Sequence, residues 1–265
     1  MRLAWLSDLH LNFVSKEQAD RFLAAVLAEG PEAVLISGDI GTARHLPAYL
    51  RHMEARLRRP IYFVLGNHDY YHGSIQGVRA AVREQARRSR WLTWLPEAGA
   101  VVLTAAVGLV GHDGWADGRS GDYGRSTVMM NDYLLIEELA GLGRQARLER
   151  LRALGDEAAA HFRAVLPAAL ERHRRVIAVT HVPPFEEACW HEGRISDANF
   201  RPHYVCQAAG EALREAMAAR PDRELLVLCG HTHGEGEAQI LPNLRVLTAG
   251  ARYGEPAVQR VWQIE

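Results

Sequence analysis

The sequence predicts an α/β fold in which most strands run parallel. Three observations point to it. Between Arg2 and Arg88, short apolar runs alternate with longer stretches of helical periodicity. "AVLIS" (Ala33 to Ser37) is continuously apolar, as expected of a strand covered on both faces. And several apolar runs end abruptly in carboxylate, amide or imidazole side chains, the residue types that gather where parallel strands stop.

Taken in order, "RLAWLS" reads as the first strand. A helix follows from Lys16 to Glu29, with Ala19, Phe22, Leu23 and Val26 at helical spacing, and Gly30-Pro31 stops it. After the strand "AVLIS" comes a helix near Leu46 to Arg58, then "IYFVLGNHDY" (Ile61 to Tyr70), then a helix near Ile75 to Arg88. This β-α-β-α-β rhythm implies parallel strands joined by crossovers. The middle changes character. "AVVLT" and "AVGLVGHD" read as adjacent strands, followed by the Gly/Asp-rich loop "GWADGRSGDYGRST". "NDYLLIEELAGL" opens with a capping Asn or Asp. A long helix spans Arg144 to Arg172, and its interleaved Arg and Glu residues suit a solvated face. "RVIAVT" (Arg175 to Thr180) and "ELLVLC" (Glu224 to Cys229) are strands flanking a helix near Val205 to Ala219. The tail, "EAQILP", "LRVLTAG" and "AVQRVWQI", reads as closely spaced strands. There is no internal repeat or linker, so the expectation is one domain over residues 1–265, with inserted loops near 111–130 and 183–205.

Composition narrows the function classes. At 48% hydrophobic and 24% charged, the chain is ordinary for a soluble globular protein. A formal net charge of -1 provides no global field for nucleic acid or anionic membrane. Lys16 is the single lysine among 31 basic residues, a bias that a GC-rich genome also produces. Cys189, Cys206 and Cys229 are widely spaced, which argues against a disulfide framework or a thiolate zinc site. With no signal-like start and no apolar run of membrane-spanning length, the expected location is the cytoplasm.

The chemistry lies in how the strands end. "LSDLHLN" supplies Asp8 and His10; "ISGDIG" supplies Asp39; "LGNHD" supplies Asn67, His68 and Asp69; "VTHVPP" supplies His181; "LCGHTHG" supplies His231 and His233. Asp8/His10 and His231/His233 are i, i+2 pairs, which point the same way in extended chain. Each motif alone has an ordinary explanation as a turn, a cap or a satisfied histidine. Five in chain order, each at a strand end, do not. Carboxylate, amide and imidazole donors without sulfur suit divalent ions such as Mn²⁺, Fe²⁺ and Zn²⁺. Seven donors exceed one tetrahedral zinc but suit two ions sharing a carboxylate.

D-x-H, G-D, G-N-H-D, a lone His and G-H-x-H, in that order from Asp8 to His233, resemble the calcineurin-like metallophosphoesterase superfamily with no motif missing. The resemblance implies a four-layer αββα β-sandwich flanked by helices and two divalent metal ions (Mn²⁺, Fe²⁺/Fe³⁺ or Zn²⁺). It implies that Asp8, His10 and His233 hold one ion, that Asn67, His181 and His231 hold the other, and that Asp39 bridges them. His68 is then free beside the phosphate to assist the leaving group during in-line attack by a metal-activated hydroxide. Asp69 either orients His68 or caps the next turn.

For substrate choice the inserted loops are the candidates. Gly111 to Arg125 carries Trp115, Arg119 and Arg125; Pro183 to Tyr204 carries Trp190 and Arg194. Aromatics interleaved with arginine suit an aromatic anion such as a nucleotide, whereas the same residues can be loop cores or a dimer contact. The expected substrate is a small phosphomonoester or phosphodiester, with no membrane partner. A nuclease is the alternative, not favoured because no basic track leads to the motifs. A non-catalytic scaffold stands last, since every ligand type is present.

Overall fold

The computed structural model describes all residues from Met1 to Glu265. In chain order the elements are β1 (Arg2–Leu6), α1 (Lys16–Ala28), β2 (Ala33–Ser37), α2 (Leu46–Leu57), β3 (Ile61–Val64), α3 (Ile75–Arg88), β4 (Leu92–Trp94), β5 (Val101–Val102) and β6 (Val107–Gly111). Then follow α4 (Asp132–Leu135), α5 (Arg144–Arg172), β7 (Arg175–Val179), β8 (Trp190–His191), β9 (Arg194–Ile195), α6 (Arg201–Tyr204) and α7 (Gln207–Ala218). Strands β10 (Glu224–Cys229), β11 (Gly236–Leu241), β12 (Leu244–Thr248) and β13 (Val258–Gln263) close the chain.

Two large sheets form. One has the order β13-β1-β2-β3-β4, the other β11-β12-β10-β7-β6-β5. Strands β1 to β4 are parallel, as the rhythm predicts, and β6, β7, β10 and β12 are parallel in the second sheet. Antiparallel strands β13, β11 and β5 occupy three of the four sheet edges, and parallel β4 the fourth.

Side-chain alternation explains the stacking. On β2, Ala33 and Leu35 face the other sheet, while Val34 and Ile36 face α1, α2 and α3. On β7, Ile177 and Val179 face the first sheet, while Val176 and Ala178 face α5 and α7. Both faces of each sheet are therefore covered, so the strands read as unbroken apolar runs. Helices, sheet, sheet and helices make four layers, as the resemblance implies. No helix is long and apolar enough to cross a membrane.

Three details depart from the sequence reading. Strand β4 was unforeseen, a three-residue edge strand too short to show alternation. The tail strands do not stay together: β11 and β12 pair with each other, whereas β13 crosses to the first sheet and pairs with β1. The helix expected from Val205 begins at Gln207, after the separate turn α6.

Candidate metal centre

Loops leaving the carboxyl ends of strands from both sheets meet at one edge. The turns after β1 and β2 run side by side, with Asp8 and His10 donating backbone N–H groups to Gly38 and Asp39 carbonyls at 3.0 and 2.9 Å. Gly230 N–H donates to the His181 carbonyl at 2.8 Å, and His231 N–H donates to Asp8 Oδ1 at 2.9 Å, joining the second sheet to the first. Asp8, His10, Asp39, His231 and His233 all have left-handed backbone, with φ between 42° and 72°. Such strain persists only where surrounding structure over-determines it, and it clusters at functional sites. Asp and His are among the side chains that tolerate it best.

The glycines of the motifs serve close approach. A Cβ on Gly66 would overlap the Asp39 carboxylate, and one on Gly230 would overlap Asp8. Gly66 does not need positive φ, so its role is proximity more than turning.

Ligand atoms of Asp8, His10, Asp39 and His233 lie within 4.8 Å of one another. His10 Nε2 and His233 Nε2 are 3.0 Å apart, His10 Nε2 is 3.6 Å from Asp39 Oδ2, and His233 Nε2 is 3.5 Å from Asp8 Oδ1. Bonds of about 2.1 Å to one ion at right angles separate two nitrogens by about 3 Å, so this spacing fits a shared cation. On the other flank, Asn67 Oδ1 lies 3.0 Å from both His181 Nε2 and His231 Nδ1. Asp39 Oδ1 is 3.5 Å from His181 Nε2. The two oxygens of Asp39 therefore face opposite flanks.

Hydrogen bonds decide what the second flank offers. His181 Nδ1 is 2.8 Å from the Ser37 carbonyl and His231 Nε2 is 3.0 Å from the His203 carbonyl. A carbonyl only accepts, so each of these nitrogens carries a proton. In the neutral rings His181 Nε2 and His231 Nδ1 are then lone pairs. Asn67 Nδ2 donates to Asp132 Oδ1 at 2.8 Å and to the Tyr71 hydroxyl at 3.1 Å, which turns the amide oxygen inward. Two lone pairs and a carbonyl oxygen converge, which fits a divalent cation.

The field agrees. Burial opposes ionisation of Asp39, but the His181 and His68 charges hold it well below the ordinary carboxylate range. Asp8 is likewise lowered despite burial, through His233 and His181. Burial pulls His181 down, yet Asp39 lifts it to about 10, so a proton occupies this position in the cation-free protein. Burial pushes His10 and His231 down to about 4, which keeps both neutral and available as ligands.

His68 stacks on Tyr71 with centroids 4.2 Å apart and stands 4.6 Å from the His10 ring. Its backbone N–H donates to Asp39 Oδ1 at 2.9 Å, leaving the imidazole to face the centre. Asp69 does not orient it. Both carboxylate oxygens of this fully buried residue are taken by backbone, Oδ1 by Gly41 N–H at 2.8 Å and Oδ2 by Gly66 N–H at 2.9 Å. Asp69 therefore ties the β2 and β3 turns together, and the two backbone N–H groups it satisfies hold its oxygens away from the ring. Burial and Asp39 raise it to about 8.

The inserted loops part company with expectation. Trp115 is 4% exposed, lies in the core under α1 to α3 and packs 5.6 Å from Tyr70. Arg119 pairs with Asp117 at 2.9 Å and Asp156 at 2.6 Å, fastening its loop to α5. Arg125 is solvated, its side chain 91% exposed. Trp190 packs over Gly236, and Arg194 is exposed on the small β8–β9 ribbon. None of the five has a hydrogen bond, ion pair or ring contact with a motif side chain. Buried apolar area outweighs any ligand role for Trp115, and carboxylate partners claim Arg119.

Residues that the sequence reading missed include Asp132, Tyr71, His203 and Tyr253. Asp132 accepts from both Asn67 and the Tyr71 hydroxyl, the latter at 2.7 Å. In the sequence it is indistinguishable from a helix cap. Tyr253 did leave a signal: it follows "LRVLTAG", another strand end, and β12 is parallel to β10. Its ring lies 4.6 Å from His10 and 5.0 Å from His233.

The comparisons bear on family and fold. The sequence matches the calcineurin-like phosphoesterase family over residues 1–235. No curated protein matches it. Among solved structures, it is similar to the phosphopantetheinyl hydrolase PptH from Mycobacterium tuberculosis, at 14% identity over 94% of this chain and 89% of that one, with a TM-score of 0.64. A dimetal phosphatase from Danio rerio is similar at 15% identity over 94% and 87%, with a TM-score of 0.56. At such identities the likeness is one of fold.

Proposed function

The chain belongs to the calcineurin-like phosphoesterase family, and on that premise we propose that this metallophosphoesterase hydrolyses a small phosphomonoester or phosphodiester at the strand-end centre. The observation that carries the reading is Asp39, whose two oxygens face His10 at 3.6 Å and His181 at 3.5 Å, between two sets of inward-facing donors. Asp8, His10 and His233 would hold one divalent ion, Asn67, His181 and His231 the other, with Asp39 between them. When bound, such a pair lowers the pKa of water and draws charge from phosphoryl oxygens.

The protein's own part is positioning and proton handling. Ser37 and His203 carbonyls set the tautomers of His181 and His231. Asp132 and Tyr71 hold the Asn67 oxygen inward. His68, braced on Tyr71, holds a proton for the departing oxygen or stabilises its charge. The donor set supports Mn²⁺, Fe²⁺/Fe³⁺ or Zn²⁺ as the ions. Net charge of -1 and the carboxylate-paired Arg119 favour a small ester over long nucleic acid. The three unpaired, buried cysteines suit a reducing compartment, and we place the protein in the cytoplasm.

The test is metal analysis of chelated and reloaded protein beside a panel of phosphate esters, phosphopantetheinyl esters included. About two ions per chain and hydrolysis restored by Mn²⁺, Fe²⁺ or Zn²⁺ are expected. A single ion at saturation, or no hydrolysis with two ions bound, would overturn the reading.

A further inference from the structure

Seven large hydrophobic side chains are exposed, and only two of them, Phe13 (54%) and Tyr253 (51%), are aromatic. These two touch, with ring centroids 4.8 Å apart and planes tilted by 50°. They also stand at the metal centre. Phe13 lies 6.1 Å from the His10 ring, and Tyr253 lies 4.6 Å from His10, 5.0 Å from His233 and 6.0 Å from His68.

Backbone anchors hold the pair there. Phe13 N–H donates to the His10 carbonyl at 2.9 Å, and Ala251 N–H donates to the His233 carbonyl at 3.2 Å. Phe13 therefore projects from the turn that carries His10, and Tyr253 from the turn after β12, which is tied to the turn that carries His233. The Tyr253 hydroxyl makes no hydrogen bond, so only ring contacts and the backbone hold the side chain. Adjacent exposed aromatic rings keep unfavourable contact with water unless something covers them.

We infer that Phe13 and Tyr253 form the seat for the organic part of the substrate, and that this part is aromatic or planar, as in an aryl or heteroaryl phosphate ester. The inference rests on the phosphoesterase reading and deepens it. With His68 on the leaving-group side, the departing group emerges beside Tyr253, whose ring is nearest His68 among the exposed aromatics. Offset or edge contact with two rings favours a flat π-system over a flexible alkyl chain. From the inserted loops Trp115 is buried and Arg119 is paired, and Tyr204, half-buried, sets its ring 5.3 Å from His231, away from the Phe13–Tyr253 pair's contacts with His10 and His233.

Phenylphosphonate and methylphosphonate, which cannot be hydrolysed, separate the organic seat from the phosphoryl site. Their binding to Mn²⁺-loaded wild type, Phe13→Ala, Tyr253→Ala and Tyr253→Phe is measured by calorimetry, with metal content and melting temperature recorded for each. Tyr253→Ala should weaken phenylphosphonate about 3- to 10-fold and leave methylphosphonate within about twofold. Phe13→Ala should act in the same direction, and Tyr253→Phe should behave as wild type. Equal loss for both phosphonates, or loss in Tyr253→Phe, would overturn the seat and make the phenol a phosphoryl contact. Loss of metal in Tyr253→Ala would overturn it in favour of a cover for His10. Failure of either phosphonate to bind metal-loaded wild type, together with no ester hydrolysis, would remove the phosphoesterase reading itself and the seat with it.

Discussion

The two flanks of the candidate metal centre are built differently. Behind Asn67, His181 and His231, each donor is locked by a second protein group: Asp132, the Ser37 carbonyl and the His203 carbonyl. Behind Asp8, His10 and His233 the support is thinner. Ser7 bonds Asp8, but His10 Nδ1 has no partner, and the His233 side chain is 21% exposed. Exposed aromatic rings border the two histidines of this flank. The contrast separates two tasks. The sealed flank is preorganised to hold a cation, since outer partners fix tautomer and orientation. The open flank meets solvent at His233 and at the exposed rings of Phe13 and Tyr253. On that basis, stepwise metal titration should show two affinities, with the tighter site lost on weakening the sealed flank.

The largest effect should come from the residue that belongs to both flanks. Asp39→Asn is expected to lower metal content at both sites together and to cut kcat/KM by roughly 10⁴-fold or more, since each ion contributes several kcal/mol. Retention of both ions and near-normal turnover would show that the flanks are not coupled through Asp39. His68→Ala ranks next. It should keep both ions and lose about 10² to 10⁴-fold in kcat, less for a nitrophenolate leaving group than for an alkoxide. A loss of equal size across leaving groups would instead place His68 on the phosphoryl oxygens.

Asp132→Asn sharpens the comparison itself. Weakening its hold on Asn67 and Tyr71 should reduce affinity on the sealed flank about 10- to 100-fold while the open flank is unchanged. Equal weakening of both would mean that the seal is not local. Proton release gives the smallest signal. His181, lifted to about 10 beside Asp39, is protonated at neutral pH in the cation-free protein, whereas a ligand must be neutral. A cation entering the sealed flank should therefore expel about one proton, and its apparent affinity should rise roughly tenfold per pH unit below about pH 10. Calorimetry in buffers of different ionisation enthalpy measures this. No buffer dependence would show that His181 is already neutral.

How much was legible differs by element. The strands β1, β2, β3, β7 and β10 were readable because both of their faces are buried, so apolar residues run without a break. The motif donors were readable because they follow those strands directly. Strand β4 was not, since three residues carry no period. Asp69 was read two ways, and the partners of its oxygens, Gly41 and Gly66, lie on different turns.

The sequence by itself determined the α/β class and the donor types at the strand ends, because periodicity and strand-end chemistry are local properties of the chain, while the four layers followed from the family resemblance. Only the tertiary structure decided which side chains border the candidate centre. Trp115 and Tyr253 are both aromatics in glycine-containing loops, yet one is 4% exposed in the core and the other 51% exposed beside His10. The difference arises from contacts across many residues of chain. Trp115 meets Tyr70 and is worth more buried than exposed. Tyr253 is carried to the centre because β12 pairs parallel with β10, bringing the turn after it to the same edge as His231 and His233.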